Sequence, residues 1–135
     1  MHTLINIDVP DLARATAFYT SAFGLAVGRR LGGGAVELVG ASSPIYLLQK
    51  EPGSTASPSS DDTRRYERHW TPVHLDVAVA DLDAAVVRAL AAGAILEDAP
   101  RSHDWGAIAH MADPFGHGFC LIQFTARGYD AIDNG

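Results

Sequence analysis

Hydrophobic and polar residues alternate along Val73–Val79, a pattern typical of a half-buried β-strand. The apolar side chains fall on one face of this strand, and His74 and Asp76 share the other. Asp81 then provides an N-cap, and apolar residues repeat at helical spacing until Gly93. The pattern predicts a strand that leads directly into an amphipathic helix, with His74 and Asp76 on the sheet face away from that helix.

The same order of signals occurs near the N-terminus. Leu4–Val9 alternates in the same way, with Leu4 and Asn6 on one face and the isoleucines on the other. Asp11 follows as an N-cap, and Gly24 is the stop signal of the next apolar stripe. This segment therefore predicts a second strand–helix unit.

Three strand-like runs follow each predicted helix. In the first half they are Leu25–Leu31, Ala35–Val39 and Ile45–Gln49, and in the second half Ala94–Glu97, Trp105–Met111 and Phe119–Gln123. Aligning the halves places Leu4 on His74, Asn6 on Asp76, and Tyr46 on Cys120. An internal duplication of this kind predicts an α+β fold of two tandem β-α-β-β-β modules.

The domain boundaries follow from composition. Glu51–Asp62 is rich in serine, proline and glycine and has no apolar period, which is typical of a flexible linker. We expect a first module over 1–50, a linker over 51–69, a second module over 70–126 and a polar tail over 127–135, which lies on the surface or reaches a partner subunit. No pattern constrains the loop Pro100–Asp104.

The composition narrows the class of protein. The 135 residues are 47% hydrophobic and 19% charged, which is typical of one globular domain. The net charge is −6, and the densest basic group, around Arg64 and Arg68, is interleaved with acids. This argues against nucleic-acid or membrane partners. Cys120 is the only cysteine, and neither a secretion signal nor a membrane-length apolar run is present, so we expect a cytoplasmic protein.

Four short motifs, taken in their order along the chain, resemble those of a known protein superfamily. Val9–Leu12, His74–Leu82, Ala91–Gly93 and Asp113–Gly116 resemble the vicinal oxygen chelate superfamily of glyoxalase I, bleomycin-resistance proteins, fosfomycin-resistance enzymes and extradiol dioxygenases. The resemblance covers nearly the whole chain. It implies that the modules form a cupped mixed sheet around a concave cavity, with the helices on the convex side. It also implies a homodimer, since the family commonly dimerises.

The resemblance also implies where a metal would lie. The family's ligand positions, on the first and last strands of each module, fall on Leu4, Tyr46, His74 and Cys120. Metal-dependent members place histidine and glutamate there, whereas leucine has no donor atom and tyrosine is a poor ligand for such ions. We therefore expect no metal cofactor. If a divalent metal does bind, we expect His74, His2 and Asp76 to hold it, because His2 precedes Leu4 by one alternation of the strand.

Several polar and aromatic residues have alternative interpretations. His74 is either a ligand-binding or acid–base group or a histidine satisfied by Asp76, Tyr46 or backbone. Cys120 is interpreted as a small buried apolar side chain. His110 and His117 are assigned a loop or edge role. His69, Trp70 and Trp105 either roof a pocket or serve core or dimer packing.

Two functions remain. The first is a metal-free protein, similar to the bleomycin-resistance branch, that binds a small organic molecule in the cavity. Its predicted ligand-binding residues are His74, Asp76, Tyr46, Asn6, Leu4 and Cys120. The second is a metal-dependent glyoxalase-like lyase, isomerase or dioxygenase that uses His74. Neither the ligand nor any catalytic residue is assigned by the sequence.

Overall fold

The computed structural model describes residues 1–135 and divides them into two compact units, Met1–Glu67 and Arg68–Gly135. The first unit contains β1 (Ile5–Val9), α1 (Leu12–Phe23), β2 (Ala26–Leu31), β3 (Ala35–Val39) and β4 (Ile45–Gln49). The second contains β5 (Leu75–Ala78), α2 (Leu82–Ala92), β6 (Ile95–His103), β7 (Gly106–Ala112), β8 (Gly118–Phe124) and a short 3-10 helix, Gly128–Ala131. The predicted α+β fold of two tandem β-α-β-β-β modules is confirmed.

Each module folds its strands into one mixed four-stranded sheet. The strand orders are β1-β4-β3-β2 and β5-β8-β7-β6, so the two modules share one topology. In each sheet the first and last strands pair in parallel and the other pairs are antiparallel. Asn6 pairs with Tyr46 in the first sheet, and Asp76 pairs with Cys120 in the second. The internal repeat read from the sequence is therefore reproduced residue by residue.

The helices begin in the same way in both modules. The Asp11 carboxylate accepts a hydrogen bond from the Arg14 amide, and the Asp81 carboxylate accepts one from the Ala84 amide. A second side chain, from the last strand in the sequence of the same module, accepts a hydrogen bond from the amide of the first helical residue. Gln49 accepts from Leu12 at 3.0 Å, and Gln123 accepts from Leu82 at 2.8 Å. The cap and the sheet thus fix where each helix starts.

Each helix buries one apolar face on its own sheet. In α1 the buried residues are Ala15, Phe18, Tyr19 and Ala22, and in α2 they are Leu82, Ala85, Val86 and Ala89. Leu38 and Leu47 are fully buried in the first sheet, and Met111 and Leu121 are almost fully buried in the second. Neither helix is long and apolar enough to cross a membrane.

Most predicted strands begin or end within one residue of the observed ones, but two predictions in the second module need correction. Strand β6 continues to His103, so the expected loop over Pro100–Asp104 is wrong except at its last residue. The register of β6 against β7 shifts twice between Leu96 and Arg101, which breaks the two-residue period that the prediction relied on. Strand β5 begins only at Leu75, so Val73 and His74 precede it, and Val73 is 79% exposed.

The segment after β4 has no helix or strand beyond an isolated bridge between Thr55 and Thr63. It is nevertheless bonded to the first module. The Arg64 guanidinium lies 2.7 Å from the Asp8 carboxylate and donates to the Thr55 carbonyl, and Tyr66 donates to the Lys50 carbonyl at 2.7 Å. Arg64 thereby ties this segment to β1.

Candidate functional site

Three potential metal-ligating side chains meet at the start of the second sheet. His74 lies just before β5, Asp76 lies within β5, and Cys120 lies opposite Asp76 on β8. The His74 Nε2 atom is 3.2 Å from the Asp76 Oδ1 atom. One ligand atom from each residue lies within 4.8 Å of the others. The parallel pairing of the first and last strands brings this cluster together.

The environment of Cys120 keeps its thiol protonated. The side chain is buried, and burial is the main cause that raises the pKa of the thiol to about 11. The nearby Asp76 carboxylate raises it further by charge repulsion and by hydrogen bonding. Cys120 is therefore a neutral thiol at neutral pH in the metal-free protein, as its interpretation as a small buried side chain requires.

A cleft opens beside this cluster. Its volume is about 170 Å³, and its lining includes Arg68, Trp70, His74, Glu97 and His110. Trp70 is 81% exposed, so a large apolar ring faces solvent beside three groups that can donate hydrogen bonds. The cleft combines an apolar face with polar and charged groups, which is the make-up of a small-molecule site.

One ion pair forms a wall of the cleft. The Arg68 Nε atom donates to Glu97 at 2.7 Å and its Nη2 atom donates to the other carboxylate oxygen at 3.0 Å. These hydrogen bonds hold the pKa of the Glu97 carboxyl below its usual range. The pair joins the chain before β5 to the edge strand β6, and it was not predicted from the sequence.

His110 was assigned a loop or edge role, and that prediction is wrong. It lies in β7, an inner strand of the sheet, where it is paired with Cys120 in register. Its side chain lines the cleft. His117 does lie in the turn before β8, where its Nδ1 atom is 2.7 Å from the buried Asp113 carboxylate. Trp105 stacks on His103 and packs against Phe124 and Tyr129, away from this cleft.

The first module has a different polar cluster, which lies on β2, β3 and β4. Glu37 on β3 is buried, and its carboxylate accepts from the Arg29 guanidinium and from the Tyr46 hydroxyl at 2.8 Å. These hydrogen bonds lower the pKa of Glu37 to about 2. The Arg29 side chain is the largest cause, and the Tyr46 hydroxyl is the next. Arg29 and Glu37 were missed. A glutamate between Val36 and Leu38 in an apolar strand was the available signal.

The predicted site residues fall in both units. His2, Leu4, Asn6 and Tyr46 lie in the first, and His74, Asp76 and Cys120 lie in the second. His2, Leu4 and Asn6 are exposed, and Leu4 precedes β1. Within the first unit Tyr46 is bonded to Glu37 and Arg29, and within the second His74 is paired with Asp76.

Comparison with known families gives a match over most of the chain. Residues 4–122 match the model of the glyoxalase-like domain. The chain belongs to this family. A protein of Mycobacterium bovis, Mb0911c, is 33% identical over 128 residues, which cover 87% of this chain and 80% of that protein. The anthracycline biosynthesis protein DauV of Streptomyces sp. (strain C5) is 26% identical over 97% of this chain, yet the chain spans only 44% of the length of DauV.

Solved structures show the same fold. A glyoxalase/bleomycin resistance protein/dioxygenase family enzyme from Burkholderia phytofirmans PsJN superposes with a TM-score of 0.71 and 23% identity, over 90% of this chain and 97% of that one. The fosfomycin resistance protein FosX from Listeria monocytogenes also gives 0.71, with 20% identity over 94% and 93% of the two chains. The match to the glyoxalase-like domain, together with this shared fold, confirms the resemblance to the vicinal oxygen chelate superfamily.

Within this glyoxalase-like domain the donor set decides which metal the protein can accommodate. At the positions where the sequence resemblance predicts metal ligands, Leu4 has no donor atom, and the Tyr46 hydroxyl is already bonded to Glu37. His74, Asp76 and Cys120 remain, offering one nitrogen, one oxygen and one sulfur atom at close range. That mixture suits a borderline-soft ion such as Zn²⁺ and does not suit Mg²⁺, which prefers oxygen ligands.

Proposed function

We propose that this glyoxalase-like protein binds a small organic molecule in the cleft of its second module, and that it does so without a metal. The observation that supports this is the exposed Trp70 ring beside Arg68, His74 and His110. An aromatic ring left 81% exposed gains favourable burial when a planar ligand covers it. Names of similar proteins point the same way, since they refer to anthracycline biosynthesis and fosfomycin resistance.

The test is a thermal-shift screen of the full chain, in the presence of a chelator, against small antibiotics and planar aromatic metabolites. We expect at least one compound to raise the melting temperature, and Trp70→Ala to weaken its binding about tenfold, because the central aromatic contact is lost. Val73→Ala is the matched control, since Val73 is also exposed and does not line the cleft. A panel without hits, or hits that Trp70→Ala leaves unchanged, would contradict this function.

The six predicted ligand-binding residues then have unequal roles in this proposal. His74 lines the cleft itself, and Asp76 and Cys120 lie directly behind it. Leu4, Asn6 and Tyr46 belong to the first unit, and their part in ligand binding stays a prediction from the sequence. A homodimer and a cytoplasmic location also remain predictions, which light scattering of the purified protein and cell fractionation test.

A second candidate is a metal-dependent glyoxalase-like lyase, isomerase or dioxygenase. The cluster of His74, Asp76 and Cys120 favours it, because these residues could hold a divalent ion that would supply Lewis-acid chemistry. Elemental analysis of protein purified without chelator decides between the two. One ion per chain, lost in His74→Ala and retained in His2→Ala, would establish the metal site and overturn the metal-free proposal. An ion-free protein that still binds ligand would support it.

A further inference from the structure

The cleft beside Trp70 contains an arginine that is already fixed in place. We propose that the ligand of this cleft is a planar aromatic acid, whose anionic oxygen group is bound by Arg68 while its ring packs on Trp70. The inference rests on the proposed function and names the class of its ligand. Arg68 would then determine specificity, and Glu97 and Gly118 would position it.

The hydrogen bonds of Arg68 leave part of its guanidinium available. Nε and Nη2 donate to Glu97, and Nη1 donates to the His69 carbonyl at 2.6 Å. A guanidinium has five N–H groups, so one N–H on each terminal nitrogen has no acceptor in the structure. The Arg68 side chain is 42% exposed. Because the group is already held on one edge, little conformational entropy is lost when its free N–H groups bind an oxyanion.

Gly118 is the reason that Arg68 can lie where it does. A Cβ atom built on Gly118 would overlap the Arg68 Nη2 atom and lie 2.8 Å from Cζ. The guanidinium therefore packs directly on the backbone at the start of β8, where any larger residue would displace it. The atoms in conflict form the end of a flexible side chain, so an alanine here moves Arg68 while leaving the fold and both charges in place.

The charges around the cleft favour an anionic ligand over a cationic one. Among the lining residues Glu97 is the only acid, and both of its oxygens accept from Arg68. Asp76 lies behind the lining, and its carboxylate is paired with His74. A cation would thus compete with Arg68 for Glu97, whereas an anion finds the free N–H groups of Arg68 beside the imidazoles of His74 and His110.

The size of the cleft favours a compact ring system. Its volume of about 170 Å³ is below the usual range for sites that enclose a drug-sized ligand, roughly 300–1,000 Å³. A ligand with two fused rings, lying along the indole of Trp70, is small enough for a cleft of this volume. The ring supplies apolar contact, and the acidic group at its end reaches Arg68.

The probes for this inference are naphthalene-2-carboxylate and naphthalene-2-carboxamide, which share a shape and differ in charge. Isothermal titration calorimetry with the full chain measures both. We expect the carboxylate to bind about tenfold more tightly, since a charge-assisted hydrogen bond is about twice as strong as a neutral one. Arg68→Gln and Gly118→Ala should reduce this preference to less than about twofold. Comparing two probes of equal size cancels any steric effect of the added methyl group.

Two matched variants serve as controls. Arg101→Gln breaks a comparable ion pair, with Asp98 on the same strand β6, outside the cleft lining. Gly33→Ala adds a methyl group where nothing lies within 4 Å. Both should keep the tenfold preference.

The possible results separate the inference from the function on which it rests. Equal binding of the two probes, or a preference that survives in Arg68→Gln, overturns the acidic ligand class while binding in the cleft stands. Failure of both probes to bind also overturns the inference. The proposed function fails as well only if the thermal-shift screen gives no hit, or gives hits that Trp70→Ala leaves unchanged.

Discussion

Cys120 shows how one residue is controlled by its surroundings. The thiol is buried in the cluster that it forms with His74 and Asp76. Burial and the Asp76 charge both disfavour the thiolate, which is the reactive form. The same residue would become a metal ligand only by releasing its proton to solvent as an ion binds.

We therefore predict slow alkylation of Cys120. At pH 8 a thiol of pKa about 11 contains roughly a hundredfold less thiolate than one with the ordinary value of 9.0. Iodoacetamide should label the folded protein at least that much more slowly than the urea-unfolded protein, as followed by mass spectrometry. The labelling rate should keep rising with pH beyond 9.0, as deprotonation is delayed. Equal rates in the two states would show an accessible, activated thiol and contradict this assignment.

The contacts of single residues show what could not be predicted from the sequence. The alignment of the two halves correctly put Tyr46 and Cys120 at equivalent positions on the last strands. It could not show that Tyr46 is bonded to Glu37, because a contact between neighbouring strands depends on register. Arg29 reaches Glu37 where the register of β2 against β3 shifts, and no periodic pattern encodes such an irregularity.

At the scale of elements, the two helix starts are a repeated device. An aspartate caps each helix, and a glutamine from the last strand supplies one more acceptor. The capping aspartates were read from the sequence because they are local signals. The glutamines were aligned as equivalent residues, yet their role depends on a strand far away in the chain.

The two glutamines should contribute unequally to stability. The Gln123 bond to Leu82 is partly buried, whereas the Gln49 bond to Leu12 is exposed and water can replace it. We expect Gln123→Ala to lower the free energy of unfolding by about 1 kcal/mol, and Gln49→Ala to lower it by less. Urea denaturation, fitted with one common m-value, measures the unfolding free energy of both variants. Each variant is the control for the other. A larger loss in Gln49→Ala would contradict the assigned difference in burial.

Strand β6 illustrates the opposite case at this scale. Its first residues were predicted and the rest were not, because two register shifts and Pro100 interrupt the alternation of apolar and polar positions. Proline is tolerated there because β6 is an edge strand. Glu97 on this strand lines the cleft. Because most of β6 was not predicted, the contribution of Glu97 to the site was not predicted either.

For the whole molecule, the fold was predictable because its evidence is spread over the entire chain. Two strand–helix units, two glycine stops and a repeated final strand all indicate one duplicated module. The pairings within each cluster were not predictable, since Arg68, Glu97 and Gly118 lie far apart in sequence and meet only in the folded module. The function of each cluster must therefore be argued from the folded geometry.

The global stability of the protein should fall in acid, and Glu37 should account for part of that fall. Its carboxyl has a pKa of about 2 in the folded protein, against an ordinary value of 4.5, because Arg29 and Tyr46 donate to it. Between these values the unfolded chain holds a proton on Glu37 and the folded chain does not. The stabilisation is therefore complete above about pH 4.5 and is lost as the pH falls toward 2.

The corresponding experiment compares urea denaturation of wild type and Glu37→Gln from pH 7 to pH 2.5. We expect a gap in unfolding free energy that is constant at neutral pH and narrows steadily below about pH 4.5, since protonation removes the same charge that the substitution removes. Tyr46→Phe deletes the smaller cause of the pKa shift, so its variation with pH over this range should lie between those of wild type and Glu37→Gln. A gap that stays constant down to pH 2.5 would mean that Glu37 is stabilised by packing and not by the charge of Arg29.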